Sequence, residues 1–228
     1  MNKRRFTMIE LLVVIGILAI LAGLLIPTVI GAKEKGRISQ ARTDMASLRT
    51  AFEGLYRDYG KMMRYNASDY YLGGKTFTYS SGDSYATIGK ISSNKYDSNT
   101  KDDYCNAIAE LADPANSYFN SDSVKDKVLN KRKIKYLDPR PKYNPSDKPT
   151  EGDNPANTWF DPWDNPYMIR INVDATEKID DPSKSSGSKL AGRIILWSLG
   201  PDGQGDNTYD DATNKDNIPS WKDGNWLD

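Results

Sequence analysis

The sequence contains no histidine, a single cysteine and no excess of either charge. Its 228 residues include 31 Lys or Arg and 31 Asp or Glu, which gives a formal net charge of zero. Without histidine there is no Ser–His or Cys–His nucleophile pair and no imidazole ligand for a transition metal. A lone cysteine, Cys105, excludes a disulfide within the chain. These absences argue against an enzyme.

The balanced charge also argues against nucleic acid as a primary partner, because nucleic-acid binding needs a basic face. The charge is nevertheless distributed unevenly along the chain. Lys3, Arg4 and Arg5 have no acidic residue beside them, whereas residues 198–228 contain seven Asp and two Lys. The acidic C-terminal stretch therefore indicates a cation as its partner.

A long apolar run follows the basic N-terminus. Residues 11–30 carry no charge, and 20 helical residues span about 30 Å, the thickness of the hydrocarbon core of a bilayer. Basic residues before such a run place the N-terminus in the cytoplasm and the rest of the chain across the membrane. Glu10, at the start of the run, does not suit an ordinary anchor or signal peptide, because a charge at membrane depth is costly and marks function.

Beyond Gly31 the sequence continues as an amphipathic helix. Apolar residues recur at spacings of three and four with charged residues between them, the pattern of a helix with one buried face. Gly60 is placed to cap the end of this helix. Together with the apolar run, the pattern predicts one helix over residues 6–59, about 81 Å long at 1.5 Å per residue. The predicted buried face consists of Ile38, Ala41, Met45, Leu48, Phe52, Leu55 and Tyr59.

The rest of the chain predicts a small sheet after an irregular middle. Residues 168–173 and 193–198 have the composition of strands, and we predict that they pair antiparallel. Residues 105–112 predict a short helix that ends before Asp-Pro. Residues 121–133 predict a second helix with a serine N-cap.

The stretch FTMIELLVVIGILAILAGLLIP, residues 6–27, resembles the N-terminal signature of type IV pilins and type II secretion pseudopilins. The resemblance implies that a prepilin peptidase removes the leader between Arg5 and Phe6 and that the new N-terminus is methylated. It also implies that Glu10, the fifth mature residue, pairs with the N-terminal amine of a neighbouring subunit during assembly. The chain departs from the family at Arg5, where glycine, or less often alanine, is usual.

Two C-terminal stretches resemble major pseudopilins in particular. FDPWDNPY, residues 160–167, is similar to their DPWGNPY motif, with Asp164 in place of glycine. The acidic stretch after residue 198 is similar to their calcium loop, and oxygen ligands in a flexible loop suit Ca²⁺. The calcium ligands that the resemblance implies are the Leu199 carbonyl, the Asp202 carboxylate and carboxylates from among Asp210, Asp211 and Asp216.

The predicted fold is α+β and pilin-like, a long N-terminal helix packed on a small C-terminal antiparallel sheet. We predict a basic leader (1–5), the membrane and filament-core half of the helix (6–30), its amphipathic half (31–60), a Tyr- and Asp-rich helix–loop insertion (61–157) and the sheet with its acidic calcium loop (158–228).

The resemblance implies a structural subunit, the major pseudopilin of a type II secretion pseudopilus, and not an enzyme. It implies self-assembly into a helical filament, and as partners the prepilin peptidase, the inner-membrane assembly platform and the minor pseudopilins. Before assembly the subunit is expected in the inner membrane, with its C-terminal domain in the periplasm. Two alternatives stay open: a type IV pilin subunit for adhesion, motility or DNA uptake, and a membrane-anchored binding domain or enzyme that merely uses the export route.

Overall fold

A computed structural model of the chain describes residues 7–66, 69–72, 75–77, 85–89, 91–92, 95–96, 101–115, 117–138, 159–173, 177–184, 188–205 and 212–222. Within these ranges the side chains of residues 24–28, 30, 66, 91–92, 95–96 and 101–102 are not described. The chain forms two compact units, Met1–Ser39 and Gln40–Asp228. The predicted site residues Arg5, Phe6, Asp210 and Asp211 lie outside the described residues.

The described residues form helices and antiparallel strands, which confirms the predicted α+β class. Four strands make the main sheet in the order β11-β10-β7-β4, and β1-β2-β3, β5-β6 and β8-β9 make smaller ones. The elements are α1 (Met8–Tyr59), β1 (Arg64–Asn66), β2 (Asp69–Leu72), β3 (Lys75–Phe77), β4 (Tyr85–Ile88), β5 (Ile91–Ser92), β6 (Lys95–Tyr96), α2 (Lys101–Ala112), β7 (Met168–Asn172), β8 (Lys178–Asp180), β9 (Lys189–Ala191), β10 (Ile194–Ser198) and β11 (Ile218–Pro219).

The part of α1 that belongs to the second unit buries one face, as the heptad-like spacing predicts. Five residues of the predicted stripe are almost completely inaccessible to solvent, namely Ala41, Met45, Leu48, Phe52 and Leu55. The helix ends where Gly60 takes a φ of +68° and donates its N–H to the Tyr56 carbonyl at 2.7 Å. Glycine suits this cap because it adopts positive φ without steric cost.

One charged residue of α1 is buried, although the predicted buried face contains only apolar residues and Tyr59. Asp44 is completely buried, and its carboxylate accepts hydrogen bonds from the Tyr167 hydroxyl (3.0 Å) and from Gln40 Nε2 (2.8 Å). A buried carboxylate is tolerated when its oxygens are hydrogen-bonded. Asp44 therefore links α1 to the residue that immediately precedes β7.

The predicted antiparallel pair of strands is confirmed as β7 and β10, in a register that places Ile194 opposite Ile171. All five residues of β10 are buried. The main sheet also contains β4, which pairs antiparallel with the other edge of β7. This strand comes from the 61–157 segment, outside the 158–228 region to which we assigned the sheet, and it enters the core through Ala86 and Ile88.

The helix predicted over residues 121–133 is wrong, whereas the one over 105–112 is confirmed within α2. In place of the second helix the chain forms 3-10 turns at Ser117–Asn120 and Lys125–Lys127. Residues 121–124 and 128–133 form turns or irregular chain, and Lys133 takes a φ of +55°. Buried Asn130 holds the chain in this form, because its Nδ2 donates to the carbonyls of Glu110 (3.1 Å) and Ile134 (2.7 Å).

Candidate functional site

The first unit presents a continuous apolar surface to solvent. Eleven large apolar side chains between residues 8 and 21 are exposed, and exposure reaches 87% at Met8. Contiguous apolar surface of this kind marks contact with another protein or a membrane. The side chains are Met8, Ile9, Leu11, Leu12, Val13, Val14, Ile15, Ile17, Leu18, Ile20 and Leu21. Among the described residues, none of the helices has the length and apolar character that crossing a membrane requires.

Glu10 lies in this surface and is bound to the start of its own helix. Its Oε2 accepts hydrogen bonds from the Thr7 backbone N–H and the Thr7 hydroxyl, both at 2.8 Å. The Glu10 N–H donates in turn to the Thr7 hydroxyl at 3.3 Å. This reciprocal pair is a capping box, in which Thr7 and Glu10 satisfy N–H groups that a helix end leaves unpaired. The Thr-x-x-Glu spacing is typical of a capping box and could have predicted this helix start from the sequence, but the prediction was not made.

The acidic loop begins after β10 with a tight turn, in which Gly200 and Gly203 both take positive φ. Gly200 has a φ of +70°, and a Cβ at that position would lie 2.4 Å from the Asp216 carbonyl oxygen and 2.9 Å from Asp216 Oδ2. Only glycine allows the two ends of the loop to approach so closely. The loop therefore brings Asp216 to the beginning of the same turn that holds Leu199 and Asp202.

Three of the five predicted calcium ligands, Leu199, Asp202 and Asp216, thus lie near the turn that follows β10. The Asp202 N–H donates to Asp216 Oδ2 at 3.2 Å. Burial raises the pKa of Asp216, and the nearby negative charge of Asp202 acts in the same direction. The Leu199 carbonyl accepts a hydrogen bond of 3.0 Å from Asn217 when the amide of Asn217 is oriented to satisfy its neighbours. Among the described side chains no group of three or more Asp, Glu, Cys or His is placed to hold a metal ion.

A buried carboxylate, Asp161, fixes the start of the acidic loop. Asp161 Oδ2 accepts a hydrogen bond from the Ser198 hydroxyl at 2.5 Å, and Ser198 Oγ accepts the Gly200 N–H at 3.0 Å. Asp161 Oδ1 accepts the N–H groups of Trp163 (3.0 Å) and Asn165 (2.8 Å). Burial raises the pKa of Asp161 to about 6, although these hydrogen bonds favour the charged form.

Asn165 makes a second connection between the DPWDNPY turn and the acidic loop. Its Nδ2 donates to the Gly200 carbonyl at 3.3 Å, and a Cβ on Gly203 would come within 2.7 Å of its Oδ1. Asp164 takes a φ of +71°, a conformation that glycine adopts freely and Asp tolerates. This backbone conformation explains why Gly and Asp both serve at the position. Sequence analysis identified the motif but not these contacts, because Asp161 and Ser198 are 37 residues apart.

Comparison with known proteins gives one significant relative among curated proteins. The chain is 43% identical over 52 residues to the Type II secretion system core protein G of Pectobacterium carotovorum subsp. carotovorum. The matched segment covers 23% of this chain and 33% of the relative, so the chain spans about a third of the relative's length. No family profile and no solved structure matches the chain.

Proposed function

We propose that the chain is a structural subunit of a type II secretion pseudopilus, assembled through its N-terminal helix. The observation that carries the proposal is the exposed apolar surface of residues 8–21 with the Glu10 carboxylate inside it. An apolar helix surface with one acidic residue suits the core of a bundle of identical helices. The similarity to a type II secretion core protein supports the same class over 52 residues.

Assembly relieves two unfavourable features of the isolated subunit. Packing apolar helices together removes their surface from water or lipid, and a neighbour's N-terminal amine offers Glu10 an opposite charge. The attraction between two opposite charges is strongest in a low dielectric, and it offsets part of the cost of burying the carboxylate. In this proposal the prepilin peptidase cleaves between Arg5 and Phe6. The Glu10 carboxylate then passes from the Thr7 cap to the adjoining subunit.

The proposal places the subunit in the inner membrane before assembly, with the Gln40–Asp228 unit in the periplasm. Lys3, Arg4 and Arg5 hold the N-terminus in the cytoplasm. In this proposal the assembly platform and the minor pseudopilins are partners of the subunit. The buried stripe from Ala41 to Leu55 and the antiparallel main sheet of the same unit support a pilin-like arrangement of these parts.

Production of the full chain together with a prepilin peptidase and a type II secretion system tests this function. We expect sheared filaments visible by electron microscopy, and mass spectrometry of the filament protein should give an N-methylated Phe6 as its first residue. Secretion-dependent assembly separates a pseudopilin from a type IV pilin, which assembles with pilus machinery instead. A chain that keeps Met1 and remains monomeric in the membrane would contradict the proposal and favour an anchored binding domain or enzyme.

We further propose that the acidic loop binds a calcium ion. Leu199, Asp202 and Asp216 supply a carbonyl and two carboxylates, the hard oxygen donors that Ca²⁺ prefers. Asp210 and Asp211 are the candidates for the remaining carboxylate ligands. The ion would offset the repulsion between Asp202 and Asp216 and tie the two ends of the loop together. A metal clip would also replace the disulfide that a chain with one cysteine cannot form.

Removal of calcium is expected to lower the thermal midpoint of the Gln40–Asp228 unit in the full chain. At a calcium concentration 100 times the dissociation constant, binding adds about 2.7 kcal/mol of stability, which corresponds to about 5–10 °C for a unit of this size. The midpoint is measured by circular dichroism in CaCl2 and in EGTA. Asp202→Ala should abolish the difference, whereas Asp122→Ala, at an exposed carboxylate elsewhere, should leave it intact. Equal midpoints in CaCl2 and EGTA would refute the site.

A further inference from the structure

Three consecutive cations, Lys131, Arg132 and Lys133, form an exposed cluster that we name the basic surface. Each cationic group is hydrogen-bonded to a neutral oxygen. Lys131 Nζ donates to the Lys125 carbonyl, Arg132 Nη2 to the Asp58 carbonyl at 2.9 Å and Lys133 Nζ to Asn120 Oδ1 at 2.9 Å. Neutral acceptors orient a cation without cancelling its charge, so the cluster keeps its full positive charge.

Two nearby lysines differ, because each is paired with a carboxylate. Lys125 lies 2.6 Å from Asp122, and Lys135 lies 2.8 Å from Asp138. Within the part of the chain that the structure describes, no carboxylate oxygen comes within ion-pair distance of the basic surface. The three cations of the basic surface are therefore available to an acidic partner.

The backbone beneath the basic surface is held in place. Asn130 is buried, and its N–H donates to Glu110 Oε1 at 2.6 Å. The Arg132 N–H donates to the Tyr59 hydroxyl at 3.0 Å, and the Arg132 guanidinium lies over the Tyr59 ring at 5.2 Å. Surface ion pairs usually contribute little, because two long side chains must be ordered. Here much of that ordering precedes binding, which lowers the entropic cost of a contact.

The complementary charge of the chain is carried by its C-terminal segment. Residues 198–228 contain seven Asp and two Lys, a formal charge of −5 that one bound Ca²⁺ would reduce to −3. This segment follows β10 and includes β11, the last strand of the sheet, and its Asp202 is exposed. The basic surface is joined through Glu110 to α2, which lies against β4 at the opposite edge.

We infer that the basic surface binds the acidic C-terminal segment of a second copy of this chain. Because the two surfaces are different regions of one molecule, the contact is heterologous. A heterologous contact that does not close into a ring extends into a helical filament. The inference rests on the proposed filament function and adds a contact between the Gln40–Asp228 units to the one between the N-terminal helices.

Charge reversal at the basic surface tests the inference in the full chain. Arg132→Glu/Lys133→Glu is expected to reduce sheared filament yield about tenfold at 0.15 M salt, because two attractive contacts become repulsive. Lys178→Glu/Lys184→Glu makes the same change of charge at exposed lysines of the β8 region and should assemble like the wild type. Arg132→Gln/Lys133→Gln, which removes charge without reversal, should give an intermediate yield. Membrane levels and thermal midpoints of the variants identify any loss that comes from misfolding.

Carbodiimide cross-linking identifies the partner directly and needs no variant. Filaments assembled from an equal mixture of ¹⁴N- and ¹⁵N-labelled chains should give mixed-isotope peptides in which Lys131 or Lys133 is joined to an Asp of residues 202–228. Cross-links confined to single chains, or mixed links from these lysines to other segments, would overturn the inference. Wild-type assembly of the Arg132→Glu/Lys133→Glu variant would overturn it too while leaving the pseudopilus function intact. A wild-type chain that forms no filament would refute both.

Discussion

Replacement of Glu10 by alanine is expected to abolish filament assembly while the Gln40–Asp228 unit stays folded. In the isolated chain Glu10 bonds only to Thr7 of its own helix among the described residues. In a bundle of apolar helices its carboxylate would need the amine of a neighbour, and alanine leaves that amine buried without a counter-charge. We expect sheared filament yield to fall about a hundredfold or more, which electron microscopy and immunoblotting of the sheared fraction would measure.

Glu10→Gln separates the charge of this residue from its role in the helix cap. Glutamine keeps an oxygen that accepts the Thr7 N–H, as glutamine does in other capping boxes, but it carries no charge. If assembly depends on the charge, Gln should fail almost as completely as Ala. Normal filaments from the Gln variant together with failure of the Ala variant would mean that only the cap matters. Normal filaments from both variants would refute the filament function proposed for the N-terminal surface.

Replacement of Glu110 by alanine is expected to destabilise the Gln40–Asp228 unit strongly. Glu110 is completely buried on α2, and its Oε1 accepts the N–H groups of Leu129 and Asn130, each at 2.6 Å. Alanine leaves both donors buried without this acceptor, at about 1–3 kcal/mol for each, so the free energy of unfolding should fall by roughly 3–5 kcal/mol. Urea unfolding of the full chain, followed by circular dichroism, measures the change.

Two further substitutions make the Glu110 result specific. Glu110→Gln keeps an acceptor oxygen at the same distance along the side chain and should recover a large part of the loss. Glu53→Ala removes an exposed carboxylate whose pair with Arg49 spans 3.0 Å on the helix surface, and it should change stability by less than about 0.5 kcal/mol. A Glu110→Ala variant as stable as the Glu53→Ala variant would show that the segment around Asn130 does not depend on this carboxylate.

The sequence predicted those parts of the fold whose spacing of apolar residues is by itself enough to indicate a helix or a strand. The stripe from Ala41 to Leu55 repeats over four turns, and a helix with that pattern has only one way to bury its apolar face. β7 and β10 are short segments rich in apolar residues, and residues typical of turns lie on both sides of each. This local composition is enough to predict a strand. Gly60 ends α1 with a positive φ, a conformation that glycine adopts without steric cost.

Other parts depend on contacts between residues far apart in sequence, and local pattern does not reveal them. Residues 121–133 have a helical composition, but the side chain of Asn130 and the carboxylate of Glu110 bind the backbone in another form. Asp44 is a charged residue that local pattern places on the surface, yet it is buried beside Tyr167, 123 residues away. In the candidate site, the resemblance indicated Leu199, Asp202 and Asp216. The hydrogen bonds of Asp161 and Asn165 to the loop join residues 35 or more positions apart, which the folded structure reveals and the sequence does not.

The pairing of β4 with β7 constrains the order in which the folding of the Gln40–Asp228 unit is completed. Ile88 lies opposite Ile169, so the two strands are 81 positions apart in the sequence. During synthesis β4 emerges long before its partner β7, and contacts between residues so far apart in the sequence form slowly. Until β7 arrives, β4 presents unpaired N–H and C=O groups, which are open to pairing with other chains. Folding of this unit is therefore completed only after most of the polypeptide has been delivered, and a chain that stalls before residue 172 would expose β4 to aggregation.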